Sequence, residues 1–407
     1  MSETRSVALL VPALAEGGGV PAVATFLYQV LSRSGRYRPE IISLATSLRD
    51  QSSVRLLAPS SWTRGVRCSA GIWQGIPYSH IGAFLSEFEF QRYRPRQLLT
   101  SRLRQFDLIQ VVAGTPGWAL VAQQAERPVC IFAATMARPE RGSKMARTLG
   151  WKGLWLRAMT SVITRFERRA LAQADCVFAE SEYTWLLLSA YTAPHKLVIG
   201  IPGIETDAFR PGDYDADGPI LAVGRWADPR KNVRLLFQAY CSLRQAVPCA
   251  PRLILAGATR PTASDWSYAV SLGIAPWIDI RENVSRAELI ALYQSASFFV
   301  LPSNEEGLGV VILEAMASGL PVISTRCGGP ETAVSHGETG YLTPVGDAAA
   351  LASHMAELVQ TPAVRYRMGR KGRQIAEARF SLEATGRVYL DKYDELLNTT
   401  PREIRAV

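Results

Sequence analysis

Residues 298–324 read FFVLPSNEEGLGVVILEAMASGLPVIS, and this stretch decides the fold of the surrounding chain. Four consecutive apolar residues at 298–301 predict a buried strand, the apolar segment 310–317 predicts a helix, and residues 321–324 predict a second strand. A strand, a helix and a strand in this order make a right-handed crossover between parallel strands. The stretch therefore predicts one βαβ unit of a parallel sheet.

The same alternation of short apolar runs with helical patterns continues along most of the chain. In the second half, the other expected strands are 220–223, 252–256 and 278–281, with helices at 233–246 and 286–295. In the first half, the expected strands are 7–11, 40–44, 107–112, 129–133, 175–179 and 196–199, with helices at 22–32 and 118–124. Two such blocks predict an α/β protein with two doubly wound, Rossmann-like domains.

A segment without apolar periodicity, 202–217, separates the two blocks and is rich in proline, glycine and acidic residues. We expect an N-terminal domain at 1–200 and a C-terminal domain at 201–382. A last helical pattern covers 382–397. Periodicity alone does not assign this pattern to either domain.

The composition is that of a globular protein with a basic surface. Of the 407 residues, 48% are hydrophobic and 20% are charged, and the net charge is +9. This charge favours an anionic ligand, an anionic membrane or nucleic acid as a partner. Residues 6–14 imitate a short signal peptide, but Glu3 and Pro12 favour a buried strand leading into the glycine turn 17–19. No apolar run reaches the roughly 20 residues of a membrane span.

Cysteine and histidine usage argues against a metal centre. The six cysteines include no CxxC pair and the four histidines are dispersed, which fits a reducing, cytoplasmic environment. Asp213, Asp215 and Asp217 imitate the start of a calcium loop, but its twelfth position is Gly224 where a bidentate Glu is needed. We interpret these residues as a solvated acidic turn, and we expect neither a metal nor a cofactor.

Three segments place ligand-binding residue types after strands. In the first, a strand ends at Gly224, so Arg225 lies at its carboxyl end, where ligands of parallel sheets bind. Lys231 lies beside the start of a helix that we expect Asn232 to cap. Two cations next to a helix start suit an anion, and a solvated surface loop is the alternative interpretation.

The second segment carries two carboxylates, Glu306 and Glu314, eight positions apart. Gly307 and Gly309 are poor first-turn residues, so we expect the helix to begin near Val310 and to leave Glu306 in the preceding loop. Glycine backbone at a helix start allows N–H groups to approach a phosphate closely. Glu314 lies in an apolar helix and needs a partner: a ribose diol, or alternatively a backbone N–H or an arginine.

The third segment, 324–331, follows a strand and turns on Gly328 and Gly329. Its position after the strand places it in the same crevice as the first two. Cations and free N–H groups suit a diphosphate, and carboxylates suit sugar hydroxyls. The three segments together therefore indicate a nucleotide-sugar site.

These segments resemble the retaining GT-B glycosyltransferases of family 4 (GT4). The resemblance rests on Gly224-Arg225 with the residues at 229–232, on the Glu306-x7-Glu314 spacing and on 328–331, and it covers roughly 174–387. The first half resembles the family only in outline. The resemblance implies two Rossmann-like domains that face each other across a cleft. It also implies a C-terminal helix, within 383–407, that returns to the N-terminal domain.

The resemblance further implies a hexosyltransferase (EC 2.4 class) that transfers a sugar from a nucleotide-sugar donor to an acceptor hydroxyl, with retention and without a metal. The implied catalytic residues are Arg225 and Lys231, which would clamp the leaving diphosphate, and Glu306, which would hold donor-sugar hydroxyls. The implied donor-binding residues are Gly18, Gly19, Gly307, Leu308, Gly309, Val310 and Glu314. Ala134 departs from the family, which usually has a histidine there near the donor sugar or the acceptor.

Residues 138–169 contain nine basic and two acidic residues and so contribute +7 to the net charge. Tryptophans and other apolar residues recur there every three to four positions, which predicts a basic amphipathic helix. Its apolar side either packs on the core, as in an ordinary helix with a solvated basic face, or binds an anionic membrane surface peripherally. We expect a glycan, a lipid-linked molecule or a small molecule as acceptor, and no motif indicates nucleic acid.

Two other functions remain open at this point. GT-B-like nucleotide-sugar epimerases and hydrolases share the architecture, but they need acid/base groups in a pattern that the segment from Glu306 to Glu314 does not resemble. A catalytically weak partner subunit is the other alternative, because Ala134 replaces the usual histidine.

Overall fold

The computed structural model describes residues 4–12, 14, 19–142, 145, 148–213 and 218–398. The chain divides into two compact units. Unit 1 extends to Pro202 and resumes at Thr385, and unit 2 is Gly203–Ala384. Gly18, Lys144, Arg147 and most of the acidic turn, at 214–217, lie outside the described residues.

Unit 1 is built on an eight-stranded sheet in the order β3-β4-β2-β1-β5-β6-β7-β8. All neighbouring strands are parallel except β3 and β4. Residues 7–11 of β1 are fully buried, as a strand covered on both faces of a sheet should be. The strands are β1 Arg5–Pro12, β2 Tyr37–Leu44, β3 Cys68–Trp73, β4 Ile76–Ile81, β5 Leu108–Ala113, β6 Val129–Ala133, β7 Cys176–Ala179 and β8 Leu197–Ile199.

Helices connect these strands, among them a helix of 24 residues before β7. A 3₁₀ helix, Pro116–Ala122, occupies the region where the sequence predicts a helix at 118–124. The α-helices that precede β8 are α1 Gly19–Arg33, α2 Pro59–Arg64, α3 Glu89–Arg92, α4 Gln97–Leu103, α5 Ala137–Glu140, α6 Gly150–Gln173 and α7 Glu182–Ser189.

Unit 2 is built on a six-stranded parallel sheet in the order β11-β10-β9-β12-β13-β14. The strands are β9 Ile220–Arg225, β10 Leu253–Thr259, β11 Ile278–Glu282, β12 Phe298–Leu301, β13 Val322–Thr325 and β14 Gly340–Thr343. The helices are α8 Val233–Ala246, α9 Ala263–Ser271, α10 Arg286–Ser295, α11 Val310–Ala317, α12 Ala348–Gln360 and α13 Pro362–Phe380. These two units confirm the predicted α/β class with two Rossmann-like domains.

The strand order of unit 2 reverses between β9 and β12, which are neighbours although two strands separate them in sequence. Such a switch point opens a crevice at the carboxyl ends of the two strands, and ligands of doubly wound sheets bind there. Arg225 ends β9, and Pro302 follows β12. The first two predicted segments therefore begin at the two sides of this crevice.

The last described helix, α14 (Leu382–Asn398), packs on unit 1. Tyr389 donates its hydroxyl to the carbonyl oxygen of Gly200 at 2.5 Å, and Tyr393 donates to Oε1 of Gln110 at 2.6 Å. Both tyrosines are fully buried. The helix thus returns to the first domain, as the resemblance implied. In the described part of the chain, no helix combines the length and the apolar character needed to cross a bilayer.

Candidate functional site

The end of β9 carries Arg225, and the turn that follows brings Lys231 back to this strand end in unit 2. Arg225 is the last residue of the strand, and a short 3₁₀ helix, Pro229–Lys231, follows after a turn. The Cδ atom of Lys231 lies 3.6 Å from the position that a Cβ atom would take on Gly224. The aliphatic part of Lys231 therefore folds back over the strand end next to Arg225.

Asp228, which was not predicted as a site residue, pairs with two basic residues of this turn. Its carboxylate accepts hydrogen bonds from Arg225 Nη2 at 3.3 Å and from Arg230 Nη2 at 2.8 Å. Burial would raise the pKa of Asp228, but the hydrogen bond and the charge of Arg230 outweigh it and hold this pKa below its usual value. An Asp before a Pro is a typical turn start, and that signal points to this residue.

Lys231 and Glu306 form a direct ion pair between the first and second predicted segments. Lys231 Nζ lies 2.6 Å from Glu306 Oε1, and both side chains are largely buried. Ser303 donates its hydroxyl to the same carboxylate oxygen at 2.5 Å. Glu306 lies in the loop before α11, as predicted, and its carboxylate is held in place by two neighbours.

Asn232 occupies the N-cap position of α8, as predicted, but its side chain makes no hydrogen bond to the helix start. Asn232 adopts a left-handed conformation with φ 45° and makes no side-chain cap. Its amide instead donates to Oδ1 of Asn304 at 2.9 Å, while the backbone N–H of Asn304 donates to the carbonyl of Arg230 at 2.7 Å. The preference of asparagine for N-cap positions predicted a bond from this side chain to the helix start. The side chain instead bonds to Asn304, which lies 72 positions away in sequence. These bonds join the loop of Lys231 to the loop of Glu306.

The third segment contacts the second one directly through its backbone. The N–H of Glu306 donates to the carbonyl of Cys327 at 3.3 Å, and the N–H of Gly329 donates to the carbonyl of Glu306 at 2.9 Å. A Cβ atom on Gly329 would lie only 2.3 Å from the carbonyl oxygen of Gly307. Glycine is therefore required at 329, because any side chain would push the two loops apart.

The start of α11 presents backbone donors beside this ion pair. Gly309 has φ +81° and provides no side-chain cap. The N–H of Ile312 donates to the carbonyl of Gly309 at 2.7 Å, which leaves the N–H groups of Val310 and Val311 without a partner within the helix. Leu308 is buried below, while Gly307, Gly309 and Val310 are partly exposed. Such a helix start attracts an anion through its free N–H groups and its dipole.

Glu314 lies about one turn further along α11 and has a tyrosine as its partner. Tyr293 donates its hydroxyl to Glu314 Oε2 at 2.8 Å. The protein partner expected from the sequence was a backbone N–H or an arginine, so this tyrosine was not predicted. Burial raises the pKa of Glu314 to about 7, against the opposing effects of the Tyr293 hydrogen bond and the charge of Arg286.

Two positions that the resemblance singled out lie in unit 1. Gly19 is the first residue of α1 and is exposed. Ala134 directly follows β6, and its carbonyl accepts a hydrogen bond from the hydroxyl of Thr184 at 2.7 Å. The described residues contain no group of three or more His, Cys, Asp or Glu side chains that could hold a metal ion.

Sequence comparisons identify relatives of this chain. The model of the family described as "Glycosyl transferases group 1" matches residues 218–361. A D-inositol 3-phosphate glycosyltransferase of Streptomyces avermitilis is 27% identical over 97% of this chain and 87% of its own length. A GDP-mannose-dependent alpha-(1-6)-phosphatidylinositol monomannoside mannosyltransferase of Mycolicibacterium smegmatis is 29% identical over 62% of this chain and 70% of its own length.

Solved structures share the fold over almost the whole chain. The sucrose-phosphate synthase of Thermosynechococcus elongatus has a TM-score of 0.75 and 20% identity, over 97% of this chain and all of that one. Anabaena HepE in complex with UDP and glucose has a TM-score of 0.69 and 16% identity, over 96% and 100% of the two chains. In both comparisons, the likeness concerns the fold. By its fold and by the enzymes that it resembles in sequence, this chain is a glycosyltransferase with GT-B architecture.

Proposed function

We propose that this glycosyltransferase moves a sugar from a nucleotide-sugar donor to an acceptor hydroxyl with retention of configuration, as GT4 enzymes do. The observation that carries the proposal is the convergence of Arg225, Lys231 and the free N–H groups at the start of α11 at one crevice of unit 2. A GDP-mannose-dependent relative and a fold neighbour with bound UDP and glucose support this class of donor.

The two cations suit a diphosphate that leaves with two negative charges. In the structure, Arg225 pairs with Asp228 and Lys231 pairs with Glu306. A donor diphosphate would compete with these carboxylates for both cations. Negative charge grows on the diphosphate as the bond from the anomeric carbon to the leaving oxygen breaks, and the two cations would neutralise this charge. Loss of one such donor typically lowers the rate by about 10²–10³.

The remaining chemistry needs neither a protein nucleophile nor a metal ion. The acceptor hydroxyl attacks the anomeric carbon on the face from which the diphosphate leaves, and an oxygen of the leaving diphosphate takes the acceptor proton. Glu306, which Ser303 holds by a hydrogen bond, would accept hydrogen bonds from donor-sugar hydroxyls. Glu314 would accept hydrogen bonds from the ribose. The acceptor is a glycan, a lipid-linked molecule or a small molecule.

The proposal is tested by replacing the two cations. The wild type is incubated with UDP-, GDP- and ADP-sugars, and the slow release of free sugar identifies the donor. With this donor, Arg225→Ala and Lys231→Ala should each lower turnover by about 10²–10³ while the chain still folds. Lys231→Ala should also lower the unfolding temperature, because it leaves the largely buried Glu306 without its cation. Arg234→Ala is the matched control, because Arg234 is an exposed arginine of α8 that pairs with Asp265. Full activity of both variants would refute the diphosphate clamp.

A further inference from the structure

The first part of α6 exposes large apolar side chains to solvent. The exposed fractions are 73% for Trp151, 66% for Leu154 and 57% for Trp155. Leu149, just before the helix, is exposed as well. An isolated exposed apolar residue is ordinary, but a contiguous group with two tryptophans marks an interaction surface.

These side chains point away from the core of unit 1. The residues of α6 that are buried, among them Thr160, Ile163 and Glu167, define its inward face. With about 3.6 residues per turn, Trp151, Leu154 and Trp155 fall on the opposite face. The later turns of α6 pack on the core through Ile163 and Leu171, as in an ordinary core-facing helix. The beginning of α6 does not, because its large apolar side chains are exposed.

The exposed surface of α6 is basic and carries no carboxylate. Lys152 and Arg157 lie on either side of the apolar group, and Arg165, Arg168 and Arg169 follow further along the helix. Glu167 is the only acidic residue at 148–173, and it is fully buried. A partner of this surface must therefore accept apolar side chains and at the same time supply negative charge.

We propose that α6 docks this glycosyltransferase on the surface of an anionic lipid bilayer. Trp151, Leu154 and Trp155 would enter the boundary between headgroups and acyl chains, where tryptophan is favoured. The flanking lysine and arginine side chains would contact the lipid phosphates, each strengthening binding by roughly fivefold. A phosphate backbone of nucleic acid offers negative charge but no apolar phase for Leu154. The proposal is independent of the sugar-transfer proposal.

Sedimentation with lipid vesicles tests this docking. The full chain is mixed with vesicles of phosphatidylcholine alone and with vesicles in which part of this lipid is replaced by anionic phosphatidylglycerol. We expect the wild type to sediment with the anionic vesicles and to be released by high salt. The double variant Trp151→Ser/Trp155→Ser should bind about tenfold more weakly or worse. The matched control is Leu186→Ser, which removes an equally exposed apolar side chain from α7 and should bind like the wild type.

Thermal unfolding and donor hydrolysis without vesicles should be equal in all three proteins, so a loss of vesicle binding reports on the surface alone. The proposal is overturned if the wild type does not bind anionic vesicles at low salt. It is likewise overturned if the double variant binds these vesicles as strongly as the wild type does. It is also overturned if the wild type is an oligomer in solution that the double variant converts to a monomer. In that case, a second copy of the chain covers this face.

Discussion

Tyr293 donates a hydrogen bond to Glu314 that favours the ionised form of this carboxyl group. Burial already raises the pKa of Glu314 to about 7, and the Tyr293 hydroxyl is the largest opposing effect. Tyr293→Phe removes this donor from the ionised carboxylate, so the pKa of Glu314 should rise further and less of it is ionised at neutral pH. If ionised Glu314 binds the ribose, nucleoside diphosphate affinity should fall at neutral pH and recover at alkaline pH. Calorimetric titration across this range measures the change.

Tyr240→Phe is the matched control for this experiment. Tyr240 is also fully buried, and its hydroxyl donates to the carbonyl of Pro251 at 2.9 Å, away from the carboxylates of the crevice. Both variants should lose about 1 kcal/mol of unfolding free energy with their hydrogen bond. Only Tyr293→Phe should shift the pH dependence of binding. Identical pH profiles in the two variants would show that Tyr293 does not act through Glu314.

Residue types at the crevice could be predicted from the sequence, but their pairings could not. Arg225 and Lys231 follow a recognisable strand end, and glycines place Glu306 in a loop. The partner of Lys231 lies 75 positions away in sequence, and that of Glu314 lies 21 positions away on another helix. Such pairs depend on how the loops approach each other in space, and no local pattern encodes this.

At the scale of elements, Gly329 keeps the second and third segments in contact. Gly329→Ala would place a methyl group 2.3 Å from the carbonyl oxygen of Gly307, so the loop that carries Glu306 must move away. We expect a loss of about 2–4 kcal/mol in unfolding free energy and clearly weaker binding of a nucleoside diphosphate. Denaturant unfolding and calorimetric titration measure the two effects.

Gly114→Ala provides the comparison for this variant. Gly114 has no atom within 4 Å of the position of an added Cβ, so alanine should be accommodated with little change in stability and none in nucleotide binding. If Gly329→Ala behaves like Gly114→Ala in both measurements, the close approach of the two loops has no role in holding the site together.

Three helices of unit 2 were predicted to the residue, whereas a hairpin of unit 1 was not predicted, and neither were the other helices of unit 2, Ala263–Ser271, Ala348–Gln360 and Pro362–Phe380. The helices at 233–246, 286–295 and 310–317 have the predicted bounds, because clear apolar periodicity coincides with strong start and stop signals. The hairpin of β3 and β4 was missed. Most of β3 is exposed, so its sequence does not alternate between apolar and polar residues. Its turn consists of Gln74 and Gly75, both with positive φ, whereas Asn-Gly is the pair that typically indicates such a turn.

At the scale of the whole molecule, α14 supplies core residues to unit 1 from the far end of the sequence. The hydroxyl of Tyr393 donates to Gln110 on β5, and both residues are fully buried. Tyr393→Phe leaves the amide oxygen of Gln110 without this donor and should lower the unfolding free energy of unit 1 by about 1–3 kcal/mol. Tyr366→Phe, at an exposed tyrosine of unit 2, should have almost no effect. Equal unfolding midpoints of the two variants would contradict this account.

Because α14 belongs to unit 1, unit 1 can complete its folding only after unit 2 has been translated. Unit 2 is one uninterrupted stretch, Gly203–Ala384, and all of it is translated before Tyr389 and Tyr393. The N-terminal unit, although made first, therefore waits for its final helix until the other unit has emerged completely. A translational pause inside unit 2 would leave the nascent N-terminal unit with an open apolar face, dependent on chaperones until synthesis resumes.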